Sequence, residues 1–566
     1  MKKLLIPIGV SDFKSIIDDN LFYIDKTLLI KELLDSGSKI TLLPRPRRFG
    51  KTLNLSMLNY FFSNASPEYP LLFKDLAIAH AGSEYTAKMG TYPVVFISFK
   101  DVKCDTFRDC ISKLKITLSG VFNSHAYLLK SAEIKEHEKV FFNSVLTENI
   151  DCVHLESSLT KLIELLTVYW KKKVVILIDE YDVPIQAGFM YNYYDKAVGF
   201  MRSFLTAALK DNPCVEKCMM TGILRVAKES IFSGLNNLDV CTLLSRKYQN
   251  YFGFTEEEVL FLFRKKGIED KMEEVRTWYN GYTFGDVTIY NPWSILNFAE
   301  KHMDGLRPYW VNTSDNAIVR QLLSQGSDEL KMELEILVRG GILDKPINED
   351  IVYREIESSA KSVWSFLLFS GYLKVVSCRQ INKLLFAELK IPNLEVEYVY
   401  EQFIRNWFIE SINEDKYDLM LKSMLSGDVD TFSRIFRTFV GSSFSYFDVS
   451  GKNSEKVYHA FVLGLLVSLS NRYEFRSNRE SGYGRYDVML IPRPVHSGQP
   501  APLHGVILEF KKVDEETNET LETACAAALL QIHEKNYRQE LHDRGITDIL
   551  ELGIAFAGKK VLVKKG

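Results

Sequence analysis

Cysteine is sparse and scattered in this chain: eight residues in 566, with no C-x-x-C pair and no histidine at metal-ligand spacing from two of them. That argues against a zinc ribbon or a disulfide scaffold and reads as reduced thiols in a cytoplasmic protein. Long hydrophobic runs are missing too. The longest, around Phe461–Leu469, falls far short of the ~20 residues that span a bilayer. The first apolar run is cut by Pro7 and followed by Asp12 and Lys14, too short and too polar for a signal peptide. The expectation is therefore a soluble protein with no membrane contact. An excess of one charge is also absent, with 70 Lys and Arg against 73 Asp and Glu. Any nucleic-acid contact must come from local basic patches and not from a global field. There is no internal repeat and no low-complexity segment.

What is present is length and an alternation of strands and helices. At ~150 residues per domain the chain suggests roughly three or four domains. Apolar strands are expected from Ile40, over Tyr92–Phe99, over Lys173–Ile178 and over Lys217–Ile223. Between them residues 103–170 have helical period, with a stripe through Leu155, Leu159, Leu162 and Leu166, and a helix runs from about Tyr193 to Lys210. Strands alternating with helices imply a parallel α/β sheet with its ligand at the carboxyl ends of the strands. Residues 315–440 read as mostly helical, with stripes in Met332–Val338, Phe366–Val376 and Phe403–Ile412. From Glu455 the pattern changes to an apolar helix, a polar loop, two strands flanking Pro492–Pro502, a helix and closing strands.

The first strand runs into Arg45-Pro46-Arg47-Arg48-Phe49-Gly50-Lys51-Thr52 and then a helix. Helix N-terminal amides beside a lysine and a hydroxyl form a cradle for a triphosphate. Lys51 would reach the β/γ-phosphates and Thr52 would ligate Mg²⁺. The usual pattern opens with glycine where Arg45 stands. The complement lies at the end of the third strand: Asp179 for the Mg²⁺ shell and Glu180 to polarise a water for attack. Thr221, ending the next strand, would sense the γ-phosphate, and Arg225 would stabilise its charge. Arg45, Arg47 and Arg48 could grip phosphate oxygens bidentately or face a domain interface, with a DNA backbone the lesser alternative.

The stretches YIDKT (Tyr23–Thr27), RPRRFGKT (Arg45–Thr52), LIDEYDVP (Leu177–Pro184), TGILRVAKESIFSGLNNL (Thr221–Leu238), YFGFTEEEV (Tyr251–Val259) and WYNGY with YNPWS (Trp278–Ser294) resemble the bacterial AAA-ATPase-like family over roughly residues 1–300. The resemblance implies an ATP-binding P-loop fold in which RPRRFGK is itself the phosphate loop, Phe49 and Gly50 included, with Arg45 in place of glycine as a family trait. The aromatic turns read as a lid packing on the ATPase core, with base stacking the lesser alternative.

Near the C-terminus, Asp487 and the Glu509-Phe510-Lys511 triplet sit on two expected strands. Residues i and i+2 share a strand face, so Glu509 and Lys511 point together. Two carboxylates and an ammonium are what metal-assisted phosphodiester hydrolysis uses. The pieces EKVYHAFVLGLL (Glu455–Leu466), SNRESGYGRYDVML (Ser477–Leu490), ILEFK (Ile507–Lys511), ALLQIHEKNY (Ala528–Tyr537) and GIAFAGKKVLV (Gly553–Val563) are similar to the PD-(D/E)XK nuclease superfamily. The resemblance implies Asp487 and Glu509 as metal ligands, Lys511 as the catalytic amine and Glu455 as an accessory ligand, with Glu480 competing for that last role. Gln531 and Tyr537 resemble the Gln…Tyr pair of some branches, at a longer spacing.

The organisation expected is α/β: a P-loop ATPase with a parallel sheet over 1–254, a helical lid or linker over 255–440, and a restriction-endonuclease-like domain over 441–566. ATP and Mg²⁺ are the implied cofactors and nucleic acid, with DNA favoured, the implied partner. A homo-oligomer stays open, since an arginine could come from a neighbouring copy. The alternative function is a nucleotide-dependent switch or scaffold whose C-terminal domain binds without cutting. A third is an ATPase that remodels proteins.

Overall fold

The computed structural model describes residues 4–225, 237–310, 317–325, 328–351, 353, 356, 360–446, 464, 468–469, 472–481, 484–493, 504–513, 519–557 and 560–566. The chain forms two compact units, Met1–Ile318 with Ile342–Val396, and Val319–Gly341 with Glu397–Gly566.

In the first unit the apolar runs form β1 (Ile40–Pro44), β2 (Val94–Ser98), β3 (Val174–Asp179) and β4 (Val215–Gly222), and a short β5 (Leu238–Val240) joins them. Among the described residues their order is β2-β3-β4-β1-β5, all parallel. β1 and β3 are buried at every position, which is why they read as unbroken apolar runs: helices cover both faces of such a sheet. β5 has only three half-buried residues, too few to mark a strand in the sequence. In register, Leu43 lies opposite Thr221 and Ile178 opposite Met220. Parallel pairing thus delivers the ends of β1, β3 and β4 to one edge before any side chain is considered.

The Thr255 side chain and Glu258 form a capping box on the helix Glu256–Lys266, whose first turn is acidic and last turn basic, matching the helix dipole. That helix joins a cluster with Tyr279, Tyr290, Ile295 and Phe298, all within 1 % of full burial. The hairpin β6 (Tyr282–Phe284) and β7 (Val287–Ile289) follows, then the helix Pro292–Lys301 capped by Asn291. So Tyr279 and Tyr290 of the aromatic turns are packing residues.

The middle of the chain is not helical throughout. β8 (Leu343–Ile347), β9 (Lys374–Ile381) and β10 (Leu384–Lys390) make an antiparallel sheet in the order β8-β10-β9. The stretch Phe366–Val376, expected as one helical stripe, is the end of a helix (Ala360–Phe369), a turn at Gly371 and the start of β9. The next helix, Leu394–Ile412, begins in the first unit and continues in the second.

In the second unit a mixed sheet has the order β11 (Tyr473–Ser481), β12 (Gly484–Pro492), β13 (Gly505–Lys512), β14 (Ile549–Ala557), β15 (Lys560–Lys565), antiparallel except for the β13–β14 pair. β11 occupies the stretch expected as a polar loop. Its sequence, YEFRSNRES, is rich in charge because a sheet edge tolerates it. Alternation along β13 sends Glu509 towards the helix Leu521–Glu534. Phe510 goes to the other face, stacking on Phe556 at 6.1 Å, which in turn meets Phe436 of the helix Val429–Tyr446. Among the described residues no helix is long and apolar enough to cross a membrane.

Gly253 closes the loop between β5 and the capped helix at φ +93°, and a Cβ there would come within 2.2 Å of Ile289 Cγ2. Gly253→Ala is expected to destabilise the first unit by about 1–3 kcal/mol. Thermal denaturation of the full-length chain reads this as a lowered transition.

Candidate functional sites

The phosphate loop leaves β1 at Pro44 and turns into the helix Lys51–Phe62 through Gly50 at φ 82°, a left-handed conformation that glycine adopts without a Cβ penalty. Lys51 is 6 % exposed, and its ammonium donates to the carbonyls of Arg45 and Pro46, each at 2.9 Å. Burial holds its pKa below the usual lysine value, with Glu180 and Asp179 opposing. The Thr52 hydroxyl donates to Asp179 Oδ2 at 2.7 Å, and the Thr221 hydroxyl donates to Asp179 Oδ1 at 2.6 Å. One buried carboxylate therefore joins the end of β3 to β4 and to the phosphate-loop helix.

Glu180 follows at φ 52°, a sparsely populated conformation of the kind that clusters at functional sites. Burial pushes its carboxyl up, and Lys51 draws it back. Asp182 is buried, raised by that burial, and accepts from the backbone amides of Ile223 and Leu224 at 2.8 and 3.1 Å.

Lys51, Thr52, Glu180 and Asp182 line a cleft of about 390 Å³, within the ~300–1,000 Å³ range of small-ligand sites, with Asp179 and Thr221 buried behind its wall. One end is charged, with Arg47, Arg48, Lys51, Thr52, Lys103 and Glu180. The other is apolar, with Pro7, Val10, Leu53, Pro292 and Leu296, and continues into a recess of about 80 Å³ beside Tyr23, Ile24 and Phe254. Sequence reading missed Lys103, Trp293 and the Pro7–Ser11 segment as cleft residues. The YNPWS motif was the available signal for Trp293.

The arginines part company. Arg47 lines the cleft and reaches Gln186 Oε1 at 3.3 Å, and Arg48, at φ 70°, lies over the Trp293 ring at 4.3 Å. Arg45 does not line the cleft. It is 0 % exposed, donates to the carbonyls of Pro44 and Cys241 at 2.8 and 2.7 Å, and sits 5.3 Å from the rings of Phe252 and Phe284. Burial pushes its guanidinium down to about 10. A large cation fills the space beneath the loop where a glycine would leave a void. Phe49 is likewise an anchor, its ring 4.9 Å from Tyr282 and 5.1 Å from Phe284, and it borders the apolar recess and not the charged end of the cleft. Arg225 does not line the cleft: it pairs with Asp350 at 2.8 Å.

At the second site, β12 and β13 bring Asp487 beside Glu509. The Asp487 amide donates to Glu509 Oε2 at 3.3 Å, and the Phe510 amide to Asp487 Oδ2 at 2.8 Å. Glu509 is 2 % exposed, with Lys511 Nζ 3.7 Å from its Oε1. Burial, and then the Asp487 charge, push its carboxyl up to about 8. Gln531, on the helix Leu521–Glu534, binds the pair together: its Oε1 accepts from Lys511 Nζ at 2.5 Å, and its amide donates to Glu509 Oε1 and to the Tyr537 hydroxyl. The Gln…Tyr resemblance thus lands in the site despite its spacing.

Glu455 lies outside the described residues. Glu480 is on β11 opposite Arg485. Among the described residues no three His, Cys, Asp or Glu side chains gather as metal ligands. All eight cysteines are unpaired.

Residues 7–232 match the family described as Predicted AAA-ATPase, AAA-ATPase-like, and residues 453–566 match the PD-(D/E)XK nuclease superfamily. The chain is thus similar to an AAA-ATPase-like domain in its first half and to a PD-(D/E)XK superfamily domain at its C-terminal end. Over 98 % of its length the chain is similar to a protein of Azotobacter chroococcum mcd 1 named "Uncharacterized protein in vnfD 5'region", at 26 % identity over 569 residues and 97 % of that relative.

Arg45→Ala leaves a cavity and two buried carbonyls without a donor, and is expected to cost about 3 kcal/mol or more. Thermal denaturation and nucleotide titration check it together. Lowered stability with retained affinity is the expected pair, and a loss of affinity at unchanged stability would mean that Arg45 reaches the phosphates after all.

Proposed function

We propose that this chain is an ATP hydrolase whose nucleotide state controls a Mg²⁺-dependent nuclease acting on DNA. The nuclease half is carried by one observation: a buried Glu509 held between Asp487, Lys511 and Gln531. A carboxylate taken out of water beside a second carboxylate is costly, and a binding scaffold has no need of it.

The donor sets suit Mg²⁺. Thr52 with Asp179, and Asp487 with Glu509, offer hard oxygen ligands, and the raised Glu509 carboxyl is that of an acid short of positive charge. When bound, the ion supplies charge neutralisation at phosphate oxygens and a water of lowered pKa. Around it Lys51 turns from the loop carbonyls to phosphate oxygens, and Glu180 takes the proton of the attacking water. Lys511 stabilises charge developing on the scissile phosphate, and Gln531 keeps its ammonium beside Glu509. The apolar end of the cleft suits a base, and the charged end suits the phosphates.

Four proteins test the reading: wild type, Lys51→Ala, Glu180→Gln and Glu509→Ala, each assayed for ATP turnover and for cleavage of plasmid and linear DNA with Mg²⁺ or Mn²⁺. Turnover is expected to fall ~10²-fold or more in the two ATPase-site variants. Cleavage is expected to vanish in Glu509→Ala while its ATP turnover persists. Absence of cleavage by wild type on every substrate, with or without ATP, sinks the nuclease half and favours the switch.

A further inference from the structure

The phosphate loop is held from outside by residues that come much later in the chain. Trp310 Nε1 donates to the Arg47 carbonyl at 3.3 Å, and the Trp293 ring lies under the Arg48 guanidinium at 4.3 Å. Both tryptophans lead to the same carboxylate. Glu395 is 0 % exposed; its Oε1 accepts the Trp310 backbone amide at 2.8 Å, and its Oε2 accepts the hydroxyl of Ser294, the neighbour of Trp293, at 2.7 Å. Burial pushes its carboxyl up to about 7.

Glu395 lies in the first turn of the helix Leu394–Ile412, which begins in the first compact unit and continues in the second. That turn is fixed a third way: Asn393 accepts the Val396 amide at 3.1 Å and donates to the Asn280 carbonyl at 2.9 Å. The WYNGY and YNPWS segments therefore both end on the start of one helix.

We propose that Glu395 is a positioning residue that links the phosphate loop to the helix Leu394–Ile412, so that nucleotide occupancy is relayed along that helix to the residues that follow it. Displacement of Arg47 or Arg48 by a triphosphate changes the demands on Trp310 and Trp293, and Glu395 carries both to the helix start. This rests on the ATP-binding reading above and names how that site is coupled.

The test is hydrogen exchange on the full-length protein with a non-hydrolysable ATP analogue and Mg²⁺, in wild type, Glu395→Gln and Trp310→Phe. In wild type the analogue is expected to slow exchange over residues 397–412 by roughly fivefold or more, the low end of site-to-site coupling. Glu395→Gln leaves one of the two donors without an acceptor, and Trp310→Phe removes only the indole donor to Arg47. Both are expected to bind the analogue within about fivefold of wild type and to lose most of the exchange response, a split between affinity and response that a merely structural role does not produce. If Glu395→Gln fails to fold, Trp310→Phe carries the same expectation. Variants that keep the wild-type response overturn the link, as does a wild type that binds the analogue without any change in 397–412. A wild type that binds no nucleotide overturns the ATPase reading, and this inference with it.

Discussion

A single buried carboxylate organises the first unit. Asp179 ends a strand with no exposed position and accepts one hydroxyl from the phosphate-loop helix and one from the end of β4. A parallel sheet brings strand ends to one edge, and side-chain hydrogen bonds then fix their relative heights. With Asp179 shared by Thr52 and Thr221, a shift in β3, in β4 or in the phosphate-loop helix is felt by the other two. The second unit repeats the logic with Gln531, whose amide joins a carboxylate and an ammonium of β13 to the phenol of Tyr537. In both places one planar group with two polar atoms acts as the clamp.

How much of this was legible in the sequence followed the physics of each element. β3 announced itself because burial on both faces demands an unbroken apolar run, and the Asp-Glu at its end had nowhere to go but the strand edge. Glu509 and Lys511 were legible through the two-residue period of a strand. β11 was not, because a charged edge strand has the composition of a loop. Residues 366–376 misled as one helical stripe because apolar residues carried on from a helix into a strand across the turn at Gly371.

Side-chain direction in a loop was the least legible property. The spacing that placed Arg45 beside the cradle said nothing about which way it faced, and the backbone turned it to Cys241 and two aromatic rings. Arg225 was misplaced for the same reason, its partner Asp350 lying 125 positions on along the chain. Glu395 illustrates the limit from the other side: no local pattern connects it to Ser294, and only the tertiary fold makes one hydrogen bond of the two.

The left-handed backbone of Glu180 has a consequence for any attempt to harden this protein. A glycine there would relieve the conformational penalty and remove a desolvated charge, each in the direction of higher stability. It would also remove the carboxylate that the proposed function uses as a proton acceptor. Selection for heat resistance alone would therefore drift away from the proposed role at this position, trading a strained acid for a better-folded blank.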